Sequence, residues 1–337
     1  MNPDSTDQQP SSSIPRRKAQ RWGLNAAVFL IIGGFVWYMA ASIHQEELPN
    51  DGTVRESEPF SSPYRQVASF ELPEEIIRFE LYRNRLFVSA GQSVYIFDIN
   101  GKQLTHFPVG PDVRDITVGG EEIYLLYPTR IAVYSMDGKP TRHWEACSEL
   151  SDYCSFTIAG DAVFVTDAEN KNICKYTMEG YFVKFIQSPR NFIIPSYTFD
   201  IDCWNDTLYC VNSGRHSVET YTLNGDFIAA FGRPGSGAGF FTGCCNPAYI
   251  SFTPTGALIT SEKGTPRISC YTGDGRFRSV LLNNKALGGG NKAYQVKPYQ
   301  DQLLVAGKNR IITFQYDQKA AVSACPGCAA GCINLSN

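Results

Sequence analysis

Histidine is scarce in this chain, with four among 337 residues: His44, His106, His143 and His216. That argues against a histidine-rich metal centre, and no Ser-His-Asp arrangement follows from their spacing. No histidine follows Cys328, so covalent haem attachment through a Cys-x-x-Cys-His motif is not indicated. A basic excess is also missing. Thirty Lys and Arg stand against 33 Asp and Glu, a net charge of −3. A nucleic-acid partner is therefore not expected.

One apolar run is present. Residues 24–43 (LNAAVFLIIGGFVWYMAASI) carry no charge. Twenty residues of helix span about 30 Å, the thickness of a bilayer core. Arg16, Arg17, Lys18 and Arg21 precede the run, and Glu46, Glu47 and Asp51 follow it. The positive-inside rule then puts the N-terminus in the cytoplasm and the remainder outside, in a bacterial periplasm or its equivalent. A signal peptide cleaved near Ala40–Ala41–Ser42 is the competing reading; the run is long for one. Residues 1–23 are polar with a basic end and predicted disordered in their first part. Residues 44–63 form an acidic, proline-containing stalk.

From residue 64 the chain repeats. Turns recur at Asn100–Gly101, Asp137–Gly138, Glu179–Gly180, Asn224–Gly225 and Asp274–Gly275, with a degraded copy at Asp317–Gln318. A matching pair of apolar, β-prone strands lies upstream of each, from RLFVSAGQSVYIFDING to QLLVAGKNRIITFQYDQ. Six copies at 37–50-residue intervals predict an all-β, six-bladed β-propeller over residues 64–318. Residues 64–72 (YRQVASFEL) precede the first copy. They are expected to supply the outer strand of the last blade and so close the ring. Two long inserts, around 188–196 and 283–296, interrupt the rhythm and are long enough to hide a divergent unit.

The copies resemble NHL-type repeats. Asp200–Gly225 (DIDCWNDTLYCVNSGRHSVETYTLNG) fits that pattern best, its Asn212–His216 stretch matching the inter-strand turn, and residues 250–277 fit nearly as well. The first two copies are degenerate. The resemblance implies that each blade's first strand lines the axis. The segment entering that strand and the turn after the second strand then share the ligand-bearing end of the propeller.

In the fifth copy both segments are unusual. The entering segment, Gly232–Pro247, holds five glycines and the pair Cys244–Cys245; the turn holds Glu262–Lys263. Cys244, Cys245, Glu262 and Lys263 are therefore the candidate ligand-binding residues. The glycines are not a phosphate loop, since no helix follows, and they match ordinary NHL-type linkers. A carboxylate site from Asp167, Asp200, Asp202 or Glu262 is the basis of a third reading, since some six-bladed lactonases and lyases hold a divalent metal in the channel. Acidic residues at such turns also belong to the repeat itself.

Eleven cysteines are many for this size, and the odd number leaves at least one unpaired within the chain. Cys147 and Cys154 bracket a short loop and are candidates for a disulfide. Cys325, Cys328 and Cys332, at Cys-x2-Cys-x3-Cys spacing, can converge on zinc or an iron–sulfur centre if Cys244 or Cys245 supplies a fourth ligand. Disulfides within this tail, residues 319–337, are the alternative. The leading expectation is a membrane-tethered binding or scaffold module for a protein, peptide or glycan. The alternatives are a thiol-based redox or metal-binding protein associated with a membrane electron-transfer complex, and a channel-metal hydrolase or lyase.

Overall fold

In the computed structural model, residues 62–317 are described, together with residues 30, 32–34 and 37, which are helical. The expected anchor, stalk and cysteine-rich tail, with Cys325, Cys328 and Cys332, fall mostly or wholly outside the described residues. Among the described residues no helix is long and apolar enough to cross a membrane.

Among the described residues, six four-stranded antiparallel sheets account for the strands. Each sheet follows sequence order outward from the axis. The inner strands are Ile76–Tyr82, Asp115–Gly119, Tyr153–Ala159, Ile201–Trp204, Tyr249–Phe252 and Val296–Tyr299, defining blades 1 to 6. Blade 6 is the exception to local connectivity. Its outer strand is Tyr64–Glu71, paired antiparallel with Arg310–Tyr316 from Tyr64↔Tyr316 to Glu71↔Arg310. The expected closure is thus observed, and the first described strand is fastened to the last. The chain is an all-β six-bladed propeller. Neither long insert adds a blade: the first carries a short 3-10 turn, Pro195–Tyr197, and the second leads directly into the inner strand of blade 6 at Val296.

Why the blades stack follows from strand alternation. Successive side chains point to opposite faces of a strand, so each middle strand serves two interfaces. Leu258 packs with Tyr209, Val211 and Val218 of blade 4. Its neighbour Ile259 packs with Val296, Leu303 and Val305 of blade 6. The six apolar clusters correspond to the six blade interfaces, the ring being completed where Leu304 and Ile311 meet Phe79 and Val88. At about 25 cal/mol per Å² of apolar surface removed from water, these interfaces are the main source of stability.

The repeated turn glycines have two physical reasons. Gly138 and Gly180 have φ of 80° and 94°. A Cβ on Gly138 would collide with Phe107, and one on Gly180 with Trp144. In each case the aromatic lies on the outer strand of the preceding blade. The turn is therefore pressed against its neighbour, and a side chain there would push two blades apart. By contrast Gly110 also has positive φ, 81°, but a Cβ there meets nothing within 4 Å. Gly110→Ala is expected to lose about 1 kcal/mol from backbone strain alone, and Gly180→Ala about 2–4 kcal/mol from strain plus collision. Denaturant titration of the two variants checks this ordering.

Candidate functional site

The axis is closed by charge. Arg78 of blade 1 stands between Asp200 of blade 4 (Nη2 to Oδ1, 3.3 Å) and Asp115 of blade 2 (Nε to Oδ1, 3.8 Å). Ser155 Oγ of blade 3 bridges the two carboxylates, its one hydrogen within reach of Asp115 Oδ2 at 2.7 Å and Asp200 Oδ1 at 2.9 Å. The blade 5 amide of Ile250 donates to Asp200 Oδ2 at 2.8 Å. Lys297 of blade 6 pairs with Glu80 of blade 1 at 2.7 Å. Every inner strand thus places at least one group in this polar core. A space of only about 30 Å³ remains among Glu80, Asp115, Asp200, Asp202 and Lys297, about the room one water needs.

The charges reinforce one another. Burial works against the Arg78 guanidinium, but Asp115 and Asp200 outweigh it and raise its pKa. Lys297 is likewise held charged by Glu80 and Asp202 against its burial. Burial pushes the Asp200 carboxyl up, with Arg78 opposing. Asp202 is pushed up to about 7 by desolvation, with Lys297 lowering it and Glu80 raising it.

At one end the channel opens into a cavity of about 450 Å³. Arg78 reaches its floor, with its guanidinium 4.3 Å from the centre of the Tyr249 ring. Ser196, Tyr197 and Thr198 from one long insert and Asn291 and Lys292 from the other form walls, with Lys263 between them. The inserts that read as possible hidden blades are therefore the pocket. Among the described residues, three cations line this cavity and no carboxylate does. Ser196 and Tyr197 both sit in the left-handed region, φ 60° and 54°, a strained conformation for side chains of their kind.

Of the four ligand-binding candidates, Lys263 lines this cavity, and Cys244 and Cys245 lie beside it, against Ser196. Asn246 explains how. It is almost fully buried; its Nδ2 donates to the Thr242 and Lys263 carbonyls at 2.6 and 2.9 Å, and its Oδ1 accepts the Lys263 amide at 2.9 Å. It thereby clamps the segment entering blade 5 to the turn after that blade's second strand. Cys245 Sγ lies 3.0 Å from Cys244 Sγ and 3.8 Å from Ser196 Oγ. Lys263 Nζ donates to Thr198 Oγ1 at 3.1 Å. Cys245 is buried at 3% exposure, whereas Cys244 is exposed. Burial opposes ionisation of Cys245, but hydrogen bonds from Cys244, Lys263 and Ser196 carry its pKa below the usual thiol value, while Cys244 is pushed up by its neighbour.

Glu262 is not part of the mouth. It is 0% exposed and pairs with Arg267 Nε at 2.5 Å across the hairpin. Its Oε2 also accepts the Thr242 amide at 3.1 Å. Adjacent residues at a strand end point to opposite sides, so Lys263 faces the pocket and Glu262 faces the blade. The glycine-rich stretch is likewise structural: Phe241 is fully buried in the blade 4–5 interface. Breaking a buried ion pair strands its partner, so Glu262→Ala is expected to destabilise the fold by about 3–5 kcal/mol in denaturant titration.

The remaining candidates separate. Asp167 is buried and accepts from the Asp152 amide at 3.1 Å and Asn170 Nδ2 at 2.8 Å, so it holds a turn. Asp200 and Asp202 do face the axis, but Arg78 and Lys297 share that space. Among the described residues no group of three or more His, Cys, Asp and Glu side chains is arranged to hold a metal ion. The disulfide expected between Cys147 and Cys154 is not formed. Cys147 Sγ instead lies 3.4 Å from Cys174 Sγ in the blade 2–3 interface, and Cys154 packs on the other face of blade 3. Alternation along Tyr153–Ala159 turns Tyr153 toward Cys147 and the next residue, Cys154, away from it. Burial pushes Cys154 up to about 12, so it stays a thiol.

No family model matches the chain, and no curated protein does. Solved structures do. The chain is similar to virginiamycin B lyase from Staphylococcus aureus, with TM-score 0.54 and 14% identity over 75% of this chain and 99% of that one. It is similar also to a luciferin-regenerating enzyme, with TM-score 0.54 and 12% identity over 75% and 94%. At such identities the likeness establishes the propeller fold alone.

Asp202 gives the channel a pH dependence of fixed sign. The unfolded chain loses this proton near 3.8, the folded chain near 7. The folded state therefore binds the proton more tightly, and stability falls as pH rises through that window. Asp202→Asn removes the fall. Relative to the parent, its melting temperature is expected to rise by roughly 3–5 °C at pH 8 and to match it at pH 4.

Proposed function

We propose that this chain is a membrane-tethered, extracytoplasmic binding module of the NHL-like propeller kind. Its channel-mouth cavity receives an anionic group of a protein, peptide or glycan partner. The observation that carries this reading is the lining: Arg78, Lys263 and Lys292 with hydroxyl and amide groups, and, among the described residues, no acidic side chain. The cavity is of the size that holds small ligands or the end of a chain. Beneath it the polar core blocks passage, so a partner is read at the mouth and does not thread the ring.

The three cations are unequal. Asp115 and Asp200 already balance Arg78, which serves as a polarised floor. Lys292 is largely exposed and pairs with Glu75 at 3.1 Å. Lys263 is held by Thr198 beside Cys245 and, among the described residues, has no carboxylate within ion-pair distance, so it is the cation most available to a ligand. Support for the tether and its orientation comes from the uncharged 24–43 run and the basic residues before it.

A fluorescent oligoglutamate peptide tests the reading by polarisation. It is expected to bind the full chain more tightly than an oligolysine peptide, with affinity falling as salt rises. Lys263→Gln is expected to weaken it about tenfold and Lys292→Gln by no more than about threefold. Equal binding of both peptides, or indifference to Lys263→Gln, contradicts the reading.

A further inference from the structure

The pair Cys244–Cys245 is not needed for blade packing. Cys244 is exposed and Cys245 belongs to none of the six apolar clusters, unlike Cys154, Cys174, Cys210 and Cys270. Yet the surroundings hold the pair in a defined place. Asn246 fixes the backbone beside it, and the strained Ser196–Tyr197 turn leans on Cys245. Lys263 adds a cation on the buried side.

We propose that Cys244 and Cys245 form a thiol–disulfide exchange site whose substrates are disulfides flanked by carboxylates. The site adjoins the cavity of the binding reading above through Ser196 and Lys263, and its preference for acidic substrates rests on that reading.

The chemistry follows from the unequal exposure of the two sulfurs. Cys244 Sγ is the atom an incoming disulfide reaches. As it attacks, Cys245 Sγ, poised as the thiolate of the pair, takes its proton across the 3.0 Å contact. The substrate S–S bond breaks, a mixed disulfide forms on Cys244, and the first thiolate leaves with the proton passed on from Cys245. Cys245 Sγ then attacks Cys244 Sγ. The mixed disulfide breaks, a vicinal disulfide forms, and the second thiolate leaves and takes a proton from water, replacing the one Cys245 released on ionising. Two electrons pass from the pair to the substrate disulfide, which becomes two thiols with one proton from Cys244 and one from water. Lys263 is a positioning residue: its charge favours the thiolate at Cys245 and does not enter the exchanged bonds.

The full chain, reduced and then exposed to oxidised glutathione, provides the test, with peptide mass mapping as readout. The expected product is the Cys244–Cys245 peptide lighter by two hydrogens and free of adduct. Cys245→Ser is expected to trap a stable glutathione adduct on Cys244. Cys244→Ser is expected to react at least about tenfold more slowly, its remaining thiol being buried. Lys263→Gln is expected to move the pH midpoint of the exchange upward, and Lys263→Arg to restore it, which a merely structural role would not do. An adduct that persists on the parent protein as it does on Cys245→Ser overturns the proposal. So does oxidation confined to Cys147 and Cys174 with this peptide left reduced. Cystamine, a cationic disulfide, separates the two readings. Slower reaction than with glutathione disulfide supports both; an equal rate to the same vicinal product upholds the exchange site and overturns the acidic preference.

Discussion

Asp200 is the group on which the molecule turns. One buried carboxylate accepts hydrogen bonds from blades 1, 3 and 5, through Arg78, Ser155 and the Ile250 amide, while it belongs to blade 4. Asp115 extends the network from blade 2, and the Lys297–Glu80 pair joins blade 6 to blade 1. A buried charge left unpaired costs several kcal/mol. Each inner strand must therefore keep its place for the others to be satisfied. Apolar clusters supply most of the cohesion between neighbouring blades, but they are pairwise. The axial network is what couples blades that do not touch along their faces.

That same constraint decides where a ligand is read. With Arg78 and Lys297 set among the carboxylates, the axis has room for little more than a water. The open space lies above it, walled by the two inserts that depart from the repeat. The mouth inherits a positive lining because the negative partners lie deeper: Asp115 and Asp200 sit below Arg78, and Glu262 is turned into its own blade. Strand alternation, one residue to each side, separates Lys263 from Glu262 and gives the site its sign.

Much of this was legible in the sequence. The turn glycines gave the blade count because each is pressed against the preceding blade, a requirement that a side chain cannot meet. The spare strand 64–72 revealed the closure. Convergence of Cys244, Cys245 and Lys263 followed from the repeat, since the two segments recur at the same end of every blade. Glu262 was misplaced by a single residue, because a repeat alignment locates a turn without saying which way a side chain points. Arg78 and Asp115 passed unnoticed: IIRFELY reads as an ordinary alternating strand, and only the ring brings a fourth blade's Asp200 against its arginine. The meeting of Cys147 with Cys174 was hidden for the same reason, being set by the packing of blade 2 on blade 3 and not by nearness in the chain.

The central claim is that charges shared across the axis hold the six blades in register. A double-mutant cycle on Arg78→Met and Asp200→Asn, read by denaturant titration, measures it directly. Each single variant is expected to lose about 3 kcal/mol or more, and the pair together at least about 2 kcal/mol less than the sum, because removing both leaves fewer stranded charges than removing one. Losses that add to within about 0.5 kcal/mol would contradict it.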